Sequence, residues 1–376
     1  MDERTQKVIA AAGAERSQWA LLTAPDSVAY AARHVAGVET GPSPFDGGPT
    51  AALISPEGEI SVLCNELEAA AARSSDADHV FTYESLGFAD LRHLTQKYAE
   101  GLGQMLDRTN VKGAIAVEAA NCPASVMAAI GGRARIRWFD VELGRARSIK
   151  TPQEIAALRH CAELTAAGQD AVAAAVTEGK SELFAWRDIR FAMEEAEGTR
   201  LPVAGDFVSG VARTAAIGGP ATGRTLAHGD PIISDLAPRA RGYWGDSCRT
   251  ACLGEASPAL MQAYDLAYEC YQMVRDTLRP GITAHEFDAP IRQRIKDAGY
   301  FNPVHMGHGI GTSVHEWPRL VPGEQALIQP GMVLMVEPGV YREDIGGVRL
   351  EQMFLITETG HEVLSPFDIP AQMPII

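Results

Sequence analysis

The chain has 376 residues, 46% hydrophobic and 22% charged, enough for two domains that each bury a core. Its 48 acidic against 33 basic residues give a formal charge of −15, a surface that repels phosphate backbones and anionic lipid, so neither nucleic-acid nor membrane-surface binding is expected. No apolar run reaches the ~18–20 residues of a membrane span, the start Met1-Asp2-Glu3-Arg4 is not that of a signal peptide, and six cysteines without a C-x-x-C pattern read as free thiols of a cytoplasmic protein.

The first part of the chain alternates helix and strand signals. Asp2 to Arg16 has helical composition, and Trp19 to Thr23 is a short apolar strand. Ala51–Ser55 and Ile60–Cys64, joined by Pro56-Glu57-Gly58, predict a hairpin. Phe88 to Leu106 predicts a long amphipathic helix and Gly113–Val117 a buried strand. This is an α/β unit without a phosphate loop, since neither G-x-x-x-x-G-K-[ST] nor G-x-G-x-x-G occurs. A boundary near 148 divides the chain into domains of 1–148 and 149–376. Thr151-Pro152-Gln153-Glu154 then forms a capping box that opens an Ala-rich helix to about Val176, and Ser181–Glu197 continues in helical composition. Strands are predicted at Ile232–Leu236, Tyr243–Leu253, Val333–Val336, Val340–Arg342 and Val348–Ile356. Two more helices start at the caps Ser257-Pro258 and Thr283-Ala284-His285-Glu286.

No G-x-S-x-G supports a serine nucleophile, and none of the His-Glu pairs has the second His of H-E-x-x-H. Cys248 and Cys252 lack zinc-ligand spacing and read as buried small side chains or thiols beside a site. The carboxylates carry more information. Asp235 and Asp246 are equidistant from the midpoint between Ala240 and Arg241, so a turn at Pro238–Gly242 would set them face to face, Cβ atoms ~4.5–5.5 Å apart. Glu337 and Glu351 are likewise centred on Asp344, inside a turn-rich loop. Four such carboxylates would repel unless protonated or bound to metal, and two divalent ions would neutralise them. A lone Asp in a turn is ordinarily a cap; the doubled hairpin spacing separates this set from that reading. His308, in Gly307–Gly311, offers a nitrogen ligand. His315 is placed to donate a proton into the same cavity, and His305 is a weaker candidate.

In order, Ile233-Ser234-Asp235, the Gly242–Thr250 segment, Gly307-His308-Gly309-Ile310-Gly311, Val314-His315-Glu316, Glu337-Pro338-Gly339 and Gly347-Val348-Arg349-Leu350-Glu351 resemble the pita-bread metallopeptidases of the M24 type. Aminopeptidase P, prolidase, methionine aminopeptidase and the non-peptidase creatinase are of this kind, and Arg147–Glu154 is similar to the segment that opens their catalytic domain. The resemblance implies an α/β (α+β) fold, with an N-terminal creatinase/prolidase-like domain over 1–148 and a pita-bread catalytic domain over 149–376. It implies that Asp235, Asp246, His308, Glu337 and Glu351 hold two divalent ions, for which Mn, Fe, Co and Zn are all suited. It also implies a homodimer, in which Phe45-Asp46-Gly47-Gly48 would help to close the partner's site.

The activity implied is hydrolysis of a peptide or small-molecule amide C–N bond by metal-activated water. Glu337 would handle the proton, and His315 would stabilise the oxyanion or protonate the leaving nitrogen. His305 is a substrate-binding candidate, and Arg349 would hold a substrate carboxylate, orient Glu351, or form a structural salt bridge. The alternatives are a metal-dependent lyase resembling the dimethylsulfoniopropionate lyases, a creatinase-like amidinohydrolase, and a binding protein with a decayed site. One departure stands out. Peptidases of this kind carry a further His after a Ser-Gly; here Ser209-Gly210 leads to Ala215-Ala216-Ile217-Gly218-Gly219-Pro220, with Gly in its place and His228 only in the turn beyond. A site lacking that hydrogen-bonding group should turn over Xaa-Pro dipeptides poorly, with kcat/KM below ~10⁴ M⁻¹s⁻¹ in steady-state assays, and should prefer a more specialised amide.

Overall fold

The computed structural model describes residues 1–13, 18–35, 46–87, 90 and 92–376. The chain divides into two compact units, Met1–Arg147 and Ser148–Ile376.

The first unit contains α1 (Glu3–Ala12), β1 (Gln18–Leu22), α2 (Pro25–Ala32), β2 (Ala51–Ile54), β3 (Ile60–Asn65), α3 (Ala69–Arg73), β4 (His79–Tyr83), α4 (Leu94–Arg108), β5 (Ala114–Val117), α5 (Ala124–Ile130), β6 (Arg135–Trp138) and α6 (Asp140–Ser148). Its strands form one mixed sheet in the order β4-β3-β2-β1-β5-β6. The sheet is apolar on both faces because successive side chains alternate: Ala20, Leu22, Ala52 and Ile54 enter one core, Trp19, Leu21, Ala51 and Leu53 the other. The hairpin predicted around Pro56-Glu57-Gly58 pairs Ile54 with Ile60. The helix predicted from Phe88 starts later, at Leu94, where the His93 side chain accepts from the Thr95 amide as N-cap, and it runs on to Arg108. Arg16, Phe45 and Phe88 lie outside the described residues.

The second unit opens with α7 (Pro152–Ala175), whose capping box has both reciprocal hydrogen bonds in place. It continues through α8 (Glu182–Glu197), β7 (Val203–Ala204), β8 (Phe207–Ser209), α9 (Val211–Ala215), β9 (Pro231–Asp235), β10 (Ala237–Ala240), β11 (Tyr243–Trp244), β12 (Cys248–Cys252), α10 (Pro258–Thr277), α11 (Ala284–Asp297), β13 (Gly307–Gly309), β14 (Glu316–Leu320), β15 (Val333–Val336), β16 (Gly339–Arg342), β17 (Gly346–Arg349), β18 (Gln352–Ile356) and β19 (His361–Val363). The five-stranded sheet β14-β13-β15-β18-β19 lies between two helix pairs. Val333, Met335 and Met353 join the core lined by α7 and α8, while Leu334, Val336, Phe354 and Ile356 join the core of α10 and α11. Both faces being covered, the central strand β15 is apolar throughout and β18 nearly so.

Two strands predicted as continuous are each broken. Tyr243–Leu253 is interrupted at Gly245-Asp246-Ser247, and Val348–Ile356 at Leu350-Glu351. At the second break the Glu351 amide, which points away from its own hairpin partner, donates to the Cys248 carbonyl at 2.9 Å. The interruptions fall on carboxylates, where strand regularity gives way to the site.

Candidate metal centre

The first hairpin keeps one register from Pro231–Cys252 to Ala240–Tyr243. Its turn is Arg241-Gly242, with φ 53° and 84°, the left-handed pair that a two-residue hairpin connection requires. This corrects the turn expected at Pro238–Gly242, because Pro238 sits within β10 and its carbonyl accepts from Gly245. Asp235 therefore faces Cys248 rather than Asp246. Asp246 lies two residues back from Cys248 on the same face, as a diagonal neighbour of Asp235.

The second hairpin is centred on Asp344, as the spacing predicts, with Arg342 opposite Gly346 and Gly339 opposite Arg349. The Leu350 amide donates to the Pro338 carbonyl, and the same register resumes at Val336–Gln352, so Glu337 and Glu351 stand opposite one another. The antiparallel bridge between Cys248 and Glu351 joins the two hairpins. Asp235, Cys248, Glu351 and Glu337 thus follow one another across adjoining strands. From β13, His308 adds an imidazole whose Nε2 lies 3.7 Å from both Asp246 Oδ2 and Glu337 Oε1. Asp246, His308 and Glu351 can bring one atom each within 4.8 Å of one another.

The tautomers of two histidines follow from their partners. His308 Nδ1 meets the Gly309 carbonyl at 2.9 Å, and a carbonyl only accepts, so Nδ1 carries the proton and Nε2 turns a lone pair toward the carboxylates. Arg319 Nε donates to His305 Nδ1 at 3.2 Å, which leaves His305 Nε2–H to donate to Glu337 Oε1 at 2.9 Å. His305, the weaker candidate by sequence, is thus in direct contact with the carboxylates. The exposed His315 ring stands 4.3 Å from that of His308 and 5.6 Å from that of His305, centroid to centroid.

Burial pushes Asp235 from 3.8 up to about 6, reinforced by its acidic neighbours and opposed by Arg349. The same burial and like charge drive Asp246 and Glu351 well above the ordinary range. Glu337 goes the other way: burial would raise it, but the His305 hydrogen bond and the positive charges nearby outweigh this and hold it low. Burial also lowers His308 to about 4 and keeps the Cys248 thiol protonated. Asp246 Oδ1 and Glu351 Oε2 are buried without a hydrogen-bond partner among the described residues. Such atoms are costly in a protein interior unless a cation faces them, so the donor set of one imidazole and several carboxylates fits divalent metal.

Arg349 is buried. Its Nη2 donates to Asp235 Oδ2 at 2.5 Å and Asp206 Oδ2 at 3.3 Å, and Nη1 to the Ile217 carbonyl and the Tyr341 hydroxyl; none of these bonds goes to Glu351. The glycine-rich segment after Ser209-Gly210 reaches the same place, where Gly218 lies against the Asp206 carboxylate with no room for a side chain unless Asp206 moves. His228 is exposed on a turn at the far end of β9, and its Nε2 accepts from the Glu255 amide.

Three supporting residues were missed by sequence reasoning. Gln169 of α7 donates to the Ser234 and Ser247 carbonyls and accepts from Ser234 Oγ, clasping the first hairpin beside its two aspartates. Lys150 Nζ pairs with Glu316 Oε2 at 2.7 Å, both side chains nearly inaccessible, next to His315. Glu316 carried the one available signal, a carboxylate adjoining a candidate His. Asp206 is the third.

Residues 156–358 match the model of metallopeptidase family M24. Over 221 residues the chain is 32% identical to an Xaa-Pro dipeptidase of Pyrococcus furiosus, an alignment that takes in 58% of this chain and spans 63% of that relative's length. The fold is that of the prolidase from Pyrococcus horikoshii OT3 (TM-score 0.81, 24% identity, 98% of this chain and 99% of that one). An X-Pro aminopeptidase from Thermotoga maritima MSB8 superposes as well (TM-score 0.81, 21% identity, 95% of each chain). With a family model matching more than half of its length, the chain belongs to metallopeptidase family M24.

Proposed function

We propose that the protein is a metal-dependent hydrolase of a peptide C–N bond in short peptides, and that Asp235, Asp246, His308, Glu337 and Glu351 hold two divalent ions, Mn, Fe, Co or Zn. The observation that carries this reading is the burial of two carboxylate oxygens, Asp246 Oδ1 and Glu351 Oε2, with no hydrogen-bond partner among the described residues. Bound metal would supply Lewis acidity and a water ionised near neutral pH. The chain's own residues do the rest. Glu337, held ionised and oriented by His305, accepts the proton of the attacking water. His315, lowered by burial and by the neighbouring His305, is a neutral N–H donor for the developing oxyanion or the leaving nitrogen. Arg349 fixes Asp235.

In this reading residues 149–376 are the catalytic domain, residues 1–148 an accessory domain, and the enzyme a cytoplasmic homodimer, in keeping with its six free cysteines. The relatives' names favour hydrolysis over the lyase and amidinohydrolase alternatives and suggest a short-peptide substrate. Within that class, the 215–220 segment contributes no imidazole, which supports a preference other than simple Xaa-Pro.

Elemental analysis of protein purified without chelator, paired with a dipeptide screen, tests the proposal directly. Up to two transition-metal ions per chain are expected, and Asp246→Ala and Glu337→Ala should each lose most metal and all activity; full activity in either variant would sink the dinuclear reading. His315→Ala should keep its metal and lower kcat by ~10²–10⁴. His305→Ala should lower kcat less and shift the acidic limb of its pH profile upward, because Glu337 loses the hydrogen bond that holds it ionised.

Stability should respond to pH in a defined direction. For a carboxyl raised from 3.8 to about 6, the stabilising contribution is full below 3.8 and lost as pH rises through about 6. Asp246 and Glu351 act in the same sense. In chelator the Tm should therefore fall between about pH 4 and about pH 7, and added divalent metal should raise Tm more at the upper pH than at the lower. Scanning calorimetry at both pH values would decide it.

A further inference from the structure

Asp206 has no part in the ligand set and yet stands beside it. One step beyond the Phe207–Ser234 pair of β8 and β9, it is the cross-strand neighbour of Asp235, whose amide donates to the Asp206 carbonyl at 2.8 Å. Opposed residues share a face, so its carboxylate continues the line of acidic side chains one strand outward, about 5 Å further from the centre. None of the three-residue ligand groups among the described residues includes it. Its Oδ2 meets Arg349 Nη2, the nitrogen that also holds Asp235, while Oδ1 has no hydrogen-bond partner among the described residues. The side chain is 32% exposed, against 4% for Arg349, so the free oxygen faces solvent at the rim of the centre. Gly218 closes the opposite side. One guanidinium serves two carboxylates here, and Asp206 Oδ1 is left without a donor among the described residues.

We propose that Asp206 is a specificity residue that receives a cationic side chain of the substrate, making the enzyme selective for short peptides with a basic N-terminal residue. The inference rests on the peptidase reading for its substrate class. An α-amino group beside the attacked carbonyl would stay among the ligands, whereas a carboxylate one strand further out is within reach of the longer arm of lysine or arginine. A charge-assisted hydrogen bond at a partly exposed rim discriminates against a neutral side chain by about tenfold.

Calorimetric titration of the metal-loaded protein with lysinamide and leucinamide tests this, with metal content and circular dichroism recorded for every sample. Wild type should bind lysinamide at least about tenfold more tightly, Asp206→Asn should bring the two affinities to within about twofold, and Asp206→Glu should restore part of the difference. Equal affinities in wild type, no binding of lysinamide, or a preference that survives Asp206→Asn would overturn the proposal. So would loss of metal in folded Asp206→Asn, which would make Asp206 a positioning residue for Arg349. If Asp206→Asn does not fold, Asp206→Glu decides: a lysinamide preference unchanged from wild type, despite the displaced carboxylate, overturns the proposal. A protein that hydrolyses no dipeptide but shows the preference would refute the peptidase reading and leave the assignment of Asp206 intact.

Discussion

The site depends on a single antiparallel bridge. Each hairpin of the second unit brings its own acidic residues to one face, and the bridge between Cys248 and Glu351 sets those faces side by side. The Glu351 amide faces outward from its own hairpin and makes that bond. Thr250 extends the junction with its hydroxyl, which accepts from the Arg349 amide and donates to the Arg349 carbonyl at 3.0 Å each. A threonine side chain thus does the work of a missing rung, leaving the backbone free to diverge where the carboxylates must converge.

Bringing those groups together is electrostatically uphill. The fold opposes the repulsion with one buried guanidinium on Asp235 and one imidazole on Glu337, both at the edge of the cluster. Its centre, Asp246 and Glu351, has no such hydrogen-bonded cation among the described residues, and burial and like charge raise both groups well above the ordinary carboxyl range. An unsatisfied polar group in an interior is costly, a cost that a bound cation would offset.

Much of this was legible in the sequence. The capping boxes at Thr151 and Thr283 formed as their residues specify, and the second hairpin closes on Asp344 because the Asp344–Gly346 stretch has no competing turn nearby. The first hairpin misled because Pro238 resembles a turn former. In fact its missing amide costs little in a strand whose carbonyls carry the pairing, while Arg241-Gly242 supplies the left-handed backbone. His305 was undervalued because its contact with Glu337 depends on a donor, Arg319, from the neighbouring strand. Asp206 left no local trace: β8 has only three residues, and its partner lies more than twenty positions downstream. Nonlocal pairing of short strands is the information that periodicity does not carry.

The buried pair of Lys150 and Glu316 gives the entry of the second unit a chemical role. Glu316 adjoins His315 and also accepts from the Ser313 amide, so the loop that presents His315 is braced by a residue near the chain's point of entry, before the first helix begins. Removing the lysine would take the counter-charge from a buried carboxylate, at a cost of about 3–5 kcal/mol for breaking a buried pair. The stretch that looks like a connector is thus a tether under electrostatic tension. Ile149 bridges to Met332 and the Lys150 amide donates to the Gly331 carbonyl, so any change of length between Lys150 and α7 would be felt 166 positions away, at Glu316 beside the imidazole.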